Sequence, residues 1–231
     1  MSEVDTADEA ARWLAEAWTT GNPLAALPPG LAPRDTEAAE EIAAALLTSL
    51  GQPPVGLRLL AGMVGPLLAG RLIAGGTPIA LAGLRHPVAT AAVAGVLAAP
   101  LEEGATTPPV FASLHAAVDI AATRFGTPPT DPAQTIADLA GLGMVVLGPA
   151  MRVAPGDTPI ALAPGRTRPA GIAHDLAGLF ATAAAEARAR GGLPVGAMLL
   201  VAGLSPPVTP VAGLRLTCAG GALGRARADF A

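Results

Sequence analysis

The stretch QTIADLAGLGMVVLG, from Gln134 to Gly148, contains both kinds of element from which the fold is built. Asp131 and Pro132 precede it, and Pro is well suited to the first position of a helix, with Gln134 at capping-box spacing from Asp131. The apolar run Met144–Leu147 that follows is short and rich in valine, which indicates a buried strand. The stretch therefore predicts a short helix followed by a strand.

Short apolar segments that end at Gly or Pro recur on both sides of this stretch. Their length and punctuation predict strands of an irregular sheet. The predicted strands are Val55–Leu60, Thr77–Leu81, Val88–Leu97, Pro159–Leu162, Ala197–Ala202, Leu214–Cys218 and Leu223–Phe230.

Helical periodicity is found in longer segments. The first carries a Thr6/Glu9 capping-box spacing, and the second opens at Asp35 and stops before Gly51. The predicted helices lie at Ala10–Ala17, Asp35–Leu50, Val110–Thr123 and Ile172–Arg190. Together with the strands, they predict an α+β fold in which residues 1–52 form a helical segment packed on a β-rich domain of residues 53–231, as a single globular unit.

Composition excludes several functional classes. All 14 basic residues are Arg, so no lysine can form a Schiff base. The net charge of -4 with dispersed Arg argues against binding to nucleic acid. The single cysteine, Cys218, excludes an internal disulfide and a multi-cysteine zinc site, and it is expected to be a buried small apolar residue. An acidic N-terminus and interrupted apolar runs predict a cytoplasmic protein that does not contact membranes.

Four segments occur in an order that resembles one enzyme family. They are Val55–Leu59 (VGLRL), Ala117–Arg124 (AVDIAATR), Gln134–Gly148, and the layout of Gly203–Phe230. They are similar, in turn, to G-x-K-V-G, to A-x-E-[IV]…[SD]-R, to D-T-V-A-D-N…G-x-x-V-[LI]-G, and to a T-G segment with closing glycine-rich strands. This is the pattern of 2-keto-4-pentenoate hydratases and 4-oxalocrotonate decarboxylases in the fumarylacetoacetate hydrolase superfamily.

The resemblance covers about Ala10 to Phe230 and implies a fumarylacetoacetate-hydrolase-like fold. That fold has a mixed β-sheet/β-roll body, two N-terminal helices, and helices packed on the sheet. The resemblance also implies a lyase of the hydratase or decarboxylase type, acting on or binding a small 2-oxo acid of the 2-hydroxydienoate kind.

The metal ligands of the family are mostly missing. The family holds Mg²⁺ or Mn²⁺ with three carboxylates, two of them in an E-x-E pair on a strand. Here Thr90 and Ala92 stand at the two positions of that pair, and neither is an acid. Only the third position carries a carboxylate, that of Asp119. One carboxylate does not replace three for a hard divalent ion. The resemblance therefore identifies a divergent member for which no cofactor is expected, with Asp119 as its one metal ligand if any.

Four side chains are candidates for the remaining chemistry. Arg58 stands at the family's lysine and, with Arg124, is predicted to bind the substrate carboxylate, because guanidinium groups bind carboxylates in bidentate fashion. Asp119 and Asp138 are predicted to act as base or to orient water. Alternatively, Arg58 pairs with Asp119 or Asp138 as a structural remnant. In addition, Leu139 stands where the family has Asn.

Three functions are compatible with these residues. The first is a lyase that works without the usual metal site, the second a catalytically inactive homologue that serves as a partner or scaffold subunit, and the third a binding protein for a small anion. The resemblance also implies a homo-oligomer, or a complex with a related enzyme.

Overall fold

Two β-sheets and four α-helices are formed by the described residues of the computed structural model, which are 3–165 and 170–231, with side chains described from Thr6 onward. The helices are α1 (Glu3–Thr20), α2 (Thr36–Leu50), α3 (Pro132–Ala137) and α4 (Leu176–Ala189). The strands are β1 (Pro54–Leu60), β2 (Met63–Leu68), β3 (Leu72–Ala74), β4 (Pro78–Ile79), β5 (Val88–Leu97), β6 (Phe111–Ala121), β7 (Leu142–Leu147), β8 (Asp157–Pro164), β9 (Ile172–Asp175), β10 (Met198–Ala202), β11 (Arg215–Ala219) and β12 (Arg225–Phe230). This composition confirms the predicted α+β class.

The larger sheet has the strand order β2-β1-β10-β5-β6-β7-β3, and the smaller one has the order β4-β12-β11-β8-β9. Strand β1 runs parallel to β10. From β10 through β5 and β6 to β7, each strand is antiparallel to the next. Strands β5 and β6 form the long central hairpin of the larger sheet. Side chains that are far apart in sequence can therefore meet on either of its faces.

Both faces of the larger sheet are covered. One apolar cluster fills the space between this sheet, the smaller sheet and α4. The other joins the opposite face to α1, α2 and α3. Strand β5 is buried from Ala89 to Gly95, and most of these residues are alanines. Small side chains on both faces of the strand allow these layers to approach closely.

The helix predicted at Val110–Thr123 is wrong, because residues 111–121 form strand β6. This segment pairs with β5 on one edge and with β7 on the other. The β-branched Val118 and Ile120 are fully buried on one face of the strand, and Ala117 is fully buried on the opposite face. Ser113, His115 and Asp119 lie on one face of β6 at the two-residue period of a strand, but the alanines between them are equally compatible with a helix.

Two other helix boundaries also differ from the prediction. The C-terminal helix begins at Leu176, since Ile172–Asp175 forms β9 and pairs with β8. Asp175 caps α4 by accepting a hydrogen bond from the Gly178 amide. Helix α1 begins at Glu3, so Thr6 lies within the helix rather than at its cap.

The N-terminal and central elements match their predictions more closely. Asp35 caps α2 by accepting a 2.9 Å hydrogen bond from the Ala38 amide, and Gly51 ends this helix in a left-handed conformation. Asp131 caps the short helix α3, and β7 follows it at Leu142. Within the described residues, no helix is long and apolar enough to cross a membrane.

Candidate functional site

Arg58 and Asp119 meet on the face of the larger sheet that is covered by α1, α2 and α3. Arg58 lies on β1 and Asp119 on β6, and both side chains are buried. The Nε and Nη2 atoms of Arg58 donate hydrogen bonds of 2.7 and 2.6 Å to the two carboxylate oxygens of Asp119. The structure thus pairs the predicted substrate-binding arginine with the predicted base in a bidentate internal ion pair.

An unusual turn completes the surroundings of Arg58. Its Nη1 atom donates a 2.7 Å hydrogen bond to the carbonyl oxygen of Ala140. Leu139, Ala140 and Gly141 all have left-handed backbones, with φ angles of 53°, 52° and 66°. Leu and Ala rarely adopt this conformation, which costs about 1–2 kcal/mol per residue. The turn therefore stores strain where its carbonyl group binds the buried guanidinium.

Asp138 and Arg124 form a second buried pair close by in sequence. The Nε atom and the backbone amide of Arg124 donate hydrogen bonds of 2.6 and 3.0 Å to the Asp138 carboxylate, and the Thr123 hydroxyl donates a third of 3.1 Å. Burial raises the pKa of the Asp138 carboxyl above its usual range, although Arg124 and Thr123 offset part of this rise. Arg124 also donates to the carbonyl oxygens of Leu142 and Asp138.

Thr90, Ala92 and Asp119 stand where the resembled family has its metal-binding acids. Thr90 faces Asp119 across the β5–β6 ladder, and Ala92 faces Ala117. The Thr90 hydroxyl accepts a hydrogen bond from the Gly203 amide, and both Asp119 oxygens already bind Arg58. Residues 3–165 and 170–231 contain no cluster of three or more potential metal-ligating side chains. Among these three positions, all within the described residues, Asp119 is the one carboxylate, and the Arg58 guanidinium neutralises it.

A cleft of about 380 Å³ lies beside the Asp138–Arg124 pair, and we call it the Arg71 cleft. Its wall includes Trp18, Arg71, Arg85 and Arg124, and it contains no Asp or Glu among its described lining residues. The guanidinium carbons of Arg71 and Arg124 lie 4.3 and 4.4 Å from the centroid of the Trp18 ring. The cleft is therefore a concave, positively charged surface with an aromatic wall.

Arg71 is the least compensated cation of this cleft. It is half-buried, and its one side-chain hydrogen bond within the described residues runs from Nη1 to the Met144 sulfur, at 3.8 Å. It has no carboxylate partner among the described residues. Burial, followed by repulsion from Arg124, lowers the pKa of Arg71 below its usual value. Arg85 donates only a long 3.3 Å hydrogen bond to the Gly21 carbonyl oxygen.

The sequence did not predict the roles of Trp18, Arg71 and Arg85. Trp18 lies on α1, Arg71 next to β3, and Arg85 before β5. Only the packing of α1 brings Trp18 into contact with Arg71 and Arg124. Arg124 is the one predicted site residue that lines the Arg71 cleft. Its spacing from the others in sequence follows no local motif, so no linear signal could have found the cleft.

The cysteine has the buried position predicted for it. Cys218 is fully buried on β11, and burial raises the pKa of its thiol to about 11. The thiolate is the nucleophilic form, so Cys218 is unreactive near neutral pH. The three histidines each have a ring nitrogen within 2.9 Å of a backbone carbonyl oxygen, consistent with structural roles.

Comparison with solved structures finds a close match over the whole chain. The 4-oxalocrotonate decarboxylase from Pseudomonas putida G7, complexed with magnesium and adipate, superimposes with a TM-score of 0.80. The match covers 100% of this chain and 99% of that chain, at 16% sequence identity. The chain has the fold of 4-oxalocrotonate decarboxylase. The same enzyme complexed with calcium and acetate gives a TM-score of 0.79, at the same identity and coverage.

More distant structures share a smaller part of the fold. The 2-hydroxyhepta-2,4-diene-1,7-dioate isomerase from Mycobacterium marinum matches with a TM-score of 0.55 and 14% identity, covering 78% of this chain and 76% of that one. Fumarylpyruvate hydrolase from Pseudomonas aeruginosa, in complex with Mn²⁺ and pyruvate, gives 0.51 and 14% identity, covering 73% and 77%. No protein-family model and no curated protein matches the chain. The solved structures named above confirm the predicted fold.

Proposed function

We propose that this protein binds a small carboxylic acid in the Arg71 cleft and that it does so without a divalent metal. The observation that carries the proposal is the half-buried Arg71 guanidinium, which lies beside a second cation and has no carboxylate partner among the described residues. A bound carboxylate would supply the missing negative charge. Each charged hydrogen bond of this kind contributes about 1.5–3 kcal/mol.

The three arginines have different roles in this proposal. Arg71 offers a guanidinium edge free of strong acceptors and is the principal ligand contact. Arg85, with its single long hydrogen bond, is able to reorient towards the ligand. Arg124 is fixed by Asp138 and Leu142, so it contributes mainly positive potential. Trp18 supplies a flat apolar surface for the carbon chain of the ligand.

The ligand class is supported by the ligands of structures that share the fold. The Pseudomonas putida G7 decarboxylase is complexed with adipate or acetate, and the Pseudomonas aeruginosa hydrolase with pyruvate. Those structures also contain Mg²⁺, Ca²⁺ or Mn²⁺. In this chain Thr90, Ala92 and Asp119 match the three metal-binding acids of the resembled family, and the single carboxylate among them is paired with Arg58, a set that does not suit a divalent ion. We therefore propose metal-free binding, with a lyase reaction on 2-hydroxydienoates as the activity to be assayed.

Titration calorimetry of the metal-free protein with pyruvate, acetate and adipate tests the proposal. We expect saturable binding of at least one acid, unchanged by EDTA, Mg²⁺ or Mn²⁺. Arg71→Gln should weaken that binding at least tenfold, or about 1.4 kcal/mol. Arg12→Gln is the matched control, because Arg12 is an exposed arginine of α1 away from the cleft, and its affinity should not change.

Two results would contradict the proposal. One is equal affinity in wild-type protein and Arg71→Gln, and the other is binding that requires Mg²⁺ or Mn²⁺. No response to any acid, together with tight co-purification of another protein, would favour the partner-subunit function instead. Loss of 2-hydroxydienoate absorbance would separate an enzyme from a binding protein, because a binding protein gives no turnover.

A further inference from the structure

A second cleft, which we call the Arg188 cleft, lies between α4 and the loop that joins β5 to β6. Its volume is about 600 Å³. Helix α4 contributes Ala181, Ala185 and Ala189, whose small side chains leave the cleft open. The loop contributes residues 103–109, which include the carboxylate of Glu103 at the edge of the wall. This cleft shares no lining residue with the Arg71 cleft. It is therefore a separate feature of the molecule.

The wall of this cleft contains an arginine without a counter-charge. Arg188 is only 8% exposed. Its Nη2 atom donates a 2.6 Å hydrogen bond to the carbonyl oxygen of Thr107, and its buried Nε atom has no acceptor among the described residues. Within residues 3–165 and 170–231, no carboxylate forms an ion pair with it. A buried charge without a partner is unfavourable, and a buried polar atom without one needs an explanation.

Two other largely buried arginines among the described residues do have carboxylate partners. Arg58 is paired with Asp119, and Arg124, which is 10% exposed, is paired with Asp138. The partial negative charge at the C-terminal end of α4 and the Thr107 carbonyl group stabilise Arg188, but neither supplies a full charge. Glu103 also lines the Arg188 cleft, but neither it nor any other carboxylate of the described residues forms an ion pair with Arg188, which therefore lacks the partner that Arg58 and Arg124 have.

We propose that the Arg188 cleft is a second anion site, in which the carboxylate of a small organic acid pairs with the Arg188 guanidinium. Ala181, Ala185 and the Pro108–Pro109 segment make much of the wall apolar. This wall favours a carboxylate that carries a short aliphatic chain over a fully hydrated inorganic anion. Butyrate represents the first class of ligand and inorganic phosphate the second.

The experiment is a thermal-unfolding titration in the Arg71→Gln background, in which binding in the Arg71 cleft is weakened at least tenfold and contributes little to the response. Butyrate at about ten times its Kd should raise the Tm by about 3–6 °C, and phosphate should have a smaller effect. Arg188→Gln should abolish the response. Thr182→Glu, which adds a charge to the same helix outside the cleft, should retain it.

A substitution that supplies an internal carboxylate gives an independent measurement. Ala185 lies one turn before Arg188 on the same wall, so Ala185→Glu places a carboxylate within reach of the guanidinium. We expect Ala185→Glu to have a higher Tm than Ala185→Gln in the absence of ligand, and to lose the butyrate response. If Arg188→Gln fails to fold, the comparison of Ala185→Glu with Ala185→Gln still tests the proposal.

Two outcomes would overturn the second site. One is a butyrate response that persists in both Arg188→Gln and Ala185→Glu. The other is the absence of any saturable response, combined with an Ala185→Glu protein that is no more stable than Ala185→Gln. Neither outcome depends on the Arg71 cleft, because every variant is compared within the Arg71→Gln background.

Discussion

Asp119→Ala is expected to lower the free energy of unfolding by about 3–5 kcal/mol, because it leaves the Arg58 guanidinium buried without a counter-charge. Both carboxylate oxygens of Asp119 bind Arg58, and the two side chains are at most 1% exposed. Water cannot solvate the abandoned cation without opening the layer between the larger sheet and helices α1 to α3. Urea unfolding followed by circular dichroism measures the loss.

The double variant Arg58→Met, Asp119→Leu is the control for this prediction. It removes both charges and fills a similar volume with apolar side chains, so its free energy of unfolding should stay within about 2 kcal/mol of wild type. A double variant as unstable as Asp119→Ala would show that the pair is needed for more than mutual neutralisation. A loss below about 1 kcal/mol in Asp119→Ala would contradict the burial of the pair.

Asp138→Ala is the second substitution with a large expected effect, a loss of about 2–4 kcal/mol. It removes the acceptor of three hydrogen bonds, two from Arg124 and one from Thr123. The loss should be smaller than for Asp119→Ala, because Arg124 is partly exposed and keeps its bonds to the carbonyl oxygens of Leu142 and residue 138. Urea unfolding again provides the measurement.

Asp131→Ala is the matched control on the same short helix. It removes an N-cap that accepts one hydrogen bond from the Ala133 amide, and it should lose about 1 kcal/mol. Equal losses in Asp131→Ala and Asp138→Ala would contradict the special role of the buried pair. A larger loss in Asp138→Ala, together with weaker carboxylate binding, would link this pair to the Arg71 cleft.

The order of short segments predicted the fold well, whereas it predicted local structure unevenly. Strand β5 was placed correctly because Gly and Pro lie close to both of its ends. The helix predicted at β6 is wrong because the alanines between its polar residues suit either element, so the two-residue period of Ser113, His115 and Asp119 is indistinct. The β-branched Val118 and Ile120 also favour a strand, but two such residues in eleven are a weak signal.

The candidate site was predictable only in part. The resemblance identifies Arg58 and Asp119 as site candidates, and a pair of Arg58 with either Asp119 or Asp138 is the structural alternative, of which the structure contains the first. The left-handed turn at Leu139 and Ala140 was not predicted, because nothing in its composition favours a positive φ. The Arg71 cleft depends on four segments that are separate in sequence, and tertiary packing alone decides which of many dispersed arginines converge.

The stacking on Trp18 has a practical consequence for studying this molecule. The chain contains no tyrosine and two tryptophans, so its ultraviolet emission arises from Trp13 and Trp18. Trp13 is 44% exposed, whereas Trp18 is in contact with two guanidinium groups. A ligand that draws Arg71 away from the indole alters the surroundings of one fluorophore and leaves the other as an internal reference. Occupancy of the cleft is thus reported by an optical signal native to the protein, without a label.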